Sequence, residues 1–124
     1  MLIDSHILIW LIKGQDLISP AAAMVLDRLD GRPMISMASV WEIEIKRAIG
    51  KLDLGTFQWK NDNIIEAVEI LPITVADAVA AARLPFVHKD PFDRMLVAQA
   101  LNRGLSIMSR DTLLRQYGVA IIQA

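Results

Sequence analysis

Four carboxylates in this chain stand where the backbone changes course, and a fifth joins them from within a helix. Asp90 and Asp93 fall in the first turn of a helix that opens His88-Lys89-Asp90-Pro91-Phe92-Asp93-Arg94. Asp4 closes the apolar run Met1-Leu2-Ile3, and Asp111 follows Ile107-Met108-Ser109-Arg110. Glu42 lies inside an otherwise apolar helical stretch. Carboxylates gathered within about 5 Å raise one another's pKa values, and a cation relieves that repulsion. A site built from oxygen ligands suits a hard ion such as Mg²⁺ or Mn²⁺. Such an ion lowers the pKa of bound water and polarises a phosphoryl oxygen. That is the chemistry of phosphodiester hydrolysis without a protein nucleophile.

Each acid also has a local role open to it. Asp4 can cap the helix that follows the first strand, and Asp111 the short helix near the end. Asp90 precedes a proline and reads as an N-cap, with Asp93 as its partner one turn in. Glu42 can pair with Lys46 across one helical turn. What pools them is topology.

Residues 1–4 read as a short buried strand, and residues 5–13 as a helix stopped by Gly14. Ser19-Pro20 starts a second helix that runs to Gly31, and residues 33–36 form a second strand. Ser39 and Glu42 have capping-box spacing, and the apolar positions Val40, Trp41, Ile45, Ala48 and Ile49 carry a helix to Gly50. Residues 56–69 read as a further helix and 69–73 as a third strand. Residues 74–84 form an alanine-rich helix stopped at Pro85. Asp90 caps the strongest helix, Pro91 fills its first position and Gly104 ends it. Residues 105–109 are the fourth strand, 111–117 a short helix and 119–122 the last strand.

Strands alternating with helices imply right-handed crossovers and a parallel sheet covered on both faces. In such sheets, sites form beyond the carboxyl ends of the strands. Asp4 and Asp111 lie at or just past two of those ends, and a helix N-terminus presents Asp90 and Asp93.

The 124 residues suit one domain spanning residues 1–124. The chain is 54% hydrophobic, and its mean hydropathy is +0.40. That surplus predicts apolar surface covered by a partner or a second copy. No run is long enough to cross a bilayer and no signal peptide is evident, so the cytoplasm is expected. The chain has no cysteine, which excludes thiolate metal sites and thiol nucleophiles. Its net charge of −1 does not advertise nucleic-acid binding, although local patches matter more than the sum. Lys46, Arg47 and Lys51 form one such patch. Lys89, Arg94, Arg103, Arg110 and Arg115 form another.

HExxH, GxSxG, P-loop and GxGxxG patterns are all missing. Of the two histidines, His6 reads as packed against the sheet edge, and His88 as a loop residue bonded to nearby backbone. Trp10, Trp41 and Trp59 read as core or dimer-surface residues rather than base-stacking platforms.

The residues resemble those of PIN-domain proteins, and most closely the VapC-type ribonuclease toxins of bacterial toxin–antitoxin pairs. Leu2-Ile3-Asp4-Ser5-His6-Ile7-Leu8-Ile9-Trp10 resembles the first strand and turn of that family. Ser39-Val40-Trp41-Glu42-Ile43 with Lys46 resembles its second acidic motif, His88 to Ala100 its third, and Ser109-Arg110-Asp111 its fourth. Ser5 stands where threonine is common.

The resemblance implies a three-layer α/β/α fold around a parallel sheet. It implies an acidic core of Asp4, Glu42 and Asp93, with Asp111 as a fourth, more variable acid. Asp93 rather than Asp90 takes the family position, directly ahead of the apolar run from Met95. Ser5 and Ser109 would orient carboxylates or metal-bound waters. Mg²⁺ or Mn²⁺ would be the cofactor and RNA the substrate. A homodimer is expected, and a cognate antitoxin would lay a segment over the active-site groove.

Lys46, Arg94 and Arg110 are the candidate RNA contacts, with ion pairing to neighbouring acids as the other role open to the two arginines. Two rivals follow from the same features. One is a PIN-fold module that binds RNA or protein without cutting. The other, a receiver-like phospho-acceptor domain, wants adjacent acids after the first strand and a lysine late in the chain. Neither is present here.

Overall fold

Side chains alternate across a strand, so a strand buried on both faces must be apolar at every position. β1 (Leu2–Ile3) and the first two residues of β4 (Ile107–Ser109) meet that condition, and every residue of both strands, Ser109 included, is buried. In the computed structural model, which describes residues 1–14, 18–60 and 64–124, Leu2 and Ile107 face one side of the sheet. Ile3 and Met108 face the other.

The five strands are all parallel and lie in the order β3-β2-β1-β4-β5. Here β2 is Met34–Ser36, β3 is Glu69–Leu71 and β5 is Ile121–Gln123. Register is set by Leu2 opposite Met34 on one side and opposite Ile107 on the other. One face is covered by α1 (Ser5–Lys13), α2 (Pro20–Asp27) and α3 (Met37–Ala48), which bring Ile7, Leu8, Ala22 and Ile43 against Ile3, Ile35 and Met108. The opposite face is covered chiefly by α6 (Pro91–Arg103), whose Leu96, Val97 and Ala100 pack on Leu2, Leu71 and Ile107. α5 (Val75–Arg83) packs on α6. This is the α/β/α sandwich that the strand–helix alternation predicts.

Several local boundaries differ from the sequence expectation. α3 begins three residues early, capped by Ser36, whose Oγ accepts the Ala38 N–H at 3.0 Å. Ser39 is therefore buried inside the first turn and does not form a capping box with Glu42. α2 ends at Asp27 with Arg28 as its C-cap, ahead of Gly31.

The helix expected over residues 56–69 shrinks to one turn, α4 (Ile64–Ala67); residues 61–63 lie outside those described. The chain before it turns at Gly55, whose φ is +59° and whose N–H is held by Asp53 Oδ1 at 2.8 Å. Leu52, Leu54, Phe57 and Trp59 reach the core one by one from that irregular backbone. The end of β3 is set by Pro72, which has no N–H to give a neighbouring strand.

Candidate active site

The chain leaves β1 toward β2 on one side and returns to β4 on the other. The crevice at such a switch point opens beyond the strands' carboxyl ends. Asp4 sits there as the residue after β1, its backbone N–H donating to the Met108 carbonyl at 3.1 Å. The buried Asp4 side chain caps α1, with Oδ1 accepting the Ile7 N–H at 3.1 Å. Its other oxygen faces His6 Nδ1 at 3.9 Å. His6 is thus not packed against the sheet edge; its side chain is exposed beside the acid. Asp4 foremost raises the His6 pKa, against the pull of burial and of the Lys46 and Arg110 charges. Ser5 is buried next to Asp4.

Glu42 comes from α3, buried except at its tip, where Lys46 Nζ pairs with Oε2 at 3.1 Å. Asp111 follows β4 and caps the 3₁₀ helix Thr112–Tyr117 through the Leu113 N–H at 3.0 Å. Ser109 holds that turn, its Oγ accepting the Asp111 N–H at 3.0 Å. Asp90 caps α6, accepting the N–H groups of Phe92 at 2.8 Å and Asp93 at 3.4 Å. Its neighbour Asp93 enters the site from the first turn of α6.

These acids act on one another at Asp93. Burial first, then the Asp90 carboxylate, push its pKa up to about 6; Glu42 and Asp4 push the same way, and His88 pulls it down. A carboxyl raised by burial and by neighbouring acids is one that a cation would hold in its ionised form. The donor chemistry agrees. One atom each from His88, Asp93 and Asp111 lies within 4.8 Å of the others, with Asp4 and Glu42 close enough to act electrostatically on Asp93. The residues fit a hard divalent cation.

Sequence reasoning undervalued His88. Its Nε2 lies 2.7 Å from Asp111 Oδ2 and 3.4 Å from Asp93 Oδ2. The expected backbone bond exists as well, since the Asp90 N–H donates to Nδ1 at 3.1 Å. The signal was the spacing His88-x-Asp90-Pro91-x-Asp93, which folds the imidazole back over the helix start it precedes.

Arg94 is a correction. Its guanidinium is buried and donates to the carbonyls of Ala81, Ala82, Leu84, Pro85 and His88, so it contacts neither a phosphate nor an acid. Arg103 likewise leaves the proposed basic patch, because both terminal nitrogens bond Asp77. Lys46 and Arg110 remain at the site, close enough that both charges depress the His6 pKa. Trp41 is 63% exposed and meets the Phe92 ring edge-on at 5.5 Å, whereas Trp59 packs against Phe57.

A family model described as the PIN domain matches residues 1–120. The chain belongs to the PIN domain family. Among PIN-domain relatives, Ribonuclease VapC22 of Mycobacterium tuberculosis is 26% identical over 121 residues, covering 94% of this chain and 91% of that protein. VapBC-1 from nontypeable Haemophilus influenzae shares the fold at a TM-score of 0.73 with 16% identity, covering 98% of this chain and 96% of that one. FitAcB from Neisseria gonorrhoeae shares it at 0.71 with 18% identity, covering 98% and 95%. The PIN fold accounts for the sheet order.

Proposed function

We propose that this PIN domain is a metal-dependent endoribonuclease and the toxin of a toxin–antitoxin pair. The observation that carries the reading is the cluster at the switch point, where one atom each of His88, Asp93 and Asp111 lies within 4.8 Å of the others and burial and nearby acids push the Asp93 pKa up to about 6. Similarity to a ribonuclease over nearly the whole chain supports the same chemistry. Solved relatives described as a toxin–antitoxin complex and as VapBC complexes support an antitoxin partner.

Asp4, Glu42, Asp93 and Asp111 would hold Mg²⁺ or Mn²⁺. Once bound, the cation would supply an activated water and polarise the scissile phosphate. The protein's own groups do the rest. Ser109 fixes the Asp111 turn. Glu42, its outer oxygen paired with Lys46, orients water from the α3 side. Lys46 and Arg110 give flanking phosphates a positive rim. Apolar side chains left in solvent, with Trp41 at 63%, Val75 at 82% and Phe86 at 90% exposure, provide surface for an antitoxin or a second copy. Among the described residues no helix is long and apolar enough to cross a membrane.

The test is cleavage of total RNA by purified protein with Mg²⁺ or Mn²⁺. Discrete products that disappear with EDTA and with Asp93→Asn are expected. Divalent-ion binding without turnover on any RNA would instead favour a binding module.

A further inference from the structure

We propose that His88 is a positioning residue of the acidic site. Its Nε2–H holds the Asp111 carboxylate beside Asp93, and the ring does not itself ligate the cation. The proposal rests on the acidic cluster being the working site.

The argument turns on which ring nitrogen carries the proton. A backbone N–H can only donate, so the Asp90 N–H, 3.1 Å from Nδ1, requires a lone pair there. In the neutral ring the proton then sits on Nε2. Both groups that Nε2 meets are carboxylate oxygens, Asp111 Oδ2 at 2.7 Å and Asp93 Oδ2 at 3.4 Å. The one donor bonds Asp111 Oδ2 and stands next to Asp93 Oδ2 without a second proton to give it. To ligate a cation through Nε2, the ring would have to move its proton to Nδ1. That would set N–H against N–H at Asp90. The cap of α6 therefore selects the tautomer that binds carboxylates and disfavours the one that binds metal.

The ring is also held from behind. The His88 N–H donates to the Tyr117 hydroxyl at 2.8 Å, and its carbonyl accepts Arg94 Nη1 at 3.3 Å. Tyr117 and Arg94 both bond the Pro85 carbonyl, at 3.0 and 2.9 Å. The backbone of His88 is thus gripped by the end of the 3₁₀ helix and by α6, the two elements whose starts carry Asp111 and Asp93. One imidazole sets the relation between acids that stand 18 residues apart in sequence.

Nitrogen-15 NMR of the histidine rings tests this directly, with the His88 signals assigned by their loss in His88→Gln. The Nε2–H form is expected before Mg²⁺ is added and after. A switch to Nδ1–H on adding Mg²⁺ would make His88 a ligand and overturn the proposal. In turnover, His88→Ala is expected to lower kcat about 10- to 100-fold, as losing a supporting partner does, with KM for a short RNA nearly unchanged. His88→Gln, whose amide keeps a donor, is expected to recover most of that loss. Unchanged kcat in His88→Ala, or an equal loss in both variants, would overturn the role, provided circular dichroism shows both folded. If the wild type neither cuts RNA nor binds Mg²⁺, the nuclease reading falls. The carbon-13 shift of the Asp111 carboxylate then decides this proposal alone: it must move in His88→Ala.

Discussion

Helix α6 has an aspartate near each end, and the two are treated in opposite ways. At its C-terminal end Arg103 reaches Asp77 of α5 with two bonds of 2.8 and 2.9 Å. Asn102, at 3.0 Å, and the Thr74 N–H, at 3.0 Å, complete the set around a carboxylate that is 1% exposed. Arg103 above all holds the Asp77 pKa far below the usual carboxylate range. At the N-terminal end Asp93 is surrounded by acids with one histidine against them, and its pKa rises to about 6. The same residue type on the same pair of helices, fully buried in one place and partly buried in the other, is saturated with donors at Asp77 and starved of them at Asp93. Saturation marks a residue that holds the fold. Starvation marks a site that expects a charge from outside.

Asp93→Asn should break the contrast most sharply. RNA cleavage should fall by more than the roughly 100-fold typical of losing a supporting partner. In cation-free buffer at pH 7 the same change should raise the melting temperature, because a carboxyl with a raised folded pKa opposes folding once ionised. The sign follows from the direction of the shift. The folded state keeps its proton between about pH 4 and pH 6, so the penalty is absent below pH 4 and complete above pH 6. From the size of the shift it amounts to no more than about 3 kcal/mol.

Arg103→Met tests the other end. It strands Asp77 without its main partner and should cost about 3 kcal/mol, a melting temperature lower by roughly 10 °C in thermal denaturation. The cleavage rate of the molecules that remain folded should not change. Asp77 also runs opposite to Asp93 in acid. Its folded pKa is depressed, so its contribution is present above the unfolded value near 4 and drains away as pH falls through the folded one. The smallest expected effect is on ion affinity. Protons compete with the cation at Asp93, so Mn²⁺ affinity measured by titration calorimetry should drop about tenfold per pH unit below 6 and level off above it.

Much of this was legible in the sequence. Asp4 and Asp111 could be placed because apolar strands end where the acids begin, and the Asp90-Pro91 start and Gly104 stop of α6 are local signals. The irregular stretch before α4 was not legible, since its apolar residues each pack on the core separately and no regular period marks them. Arg94 was misread for a different reason. Its partners are carbonyls, which every residue has and no sequence pattern advertises. The role of His88 depends on Asp111, which lies 23 residues away and arrives only through the crossover to β4.

The Arg94 hub also governs how the loop between α5 and α6 can be recognised. Phe86 and Val87 stand in solvent there, yet five carbonyls of residues 81–88 already bond inward to one guanidinium. An incoming chain that adds itself as a strand gains its affinity from main-chain bonds. Within this loop the Leu84, Pro85 and His88 carbonyls are already engaged, so a visitor must read it chiefly by its side chains.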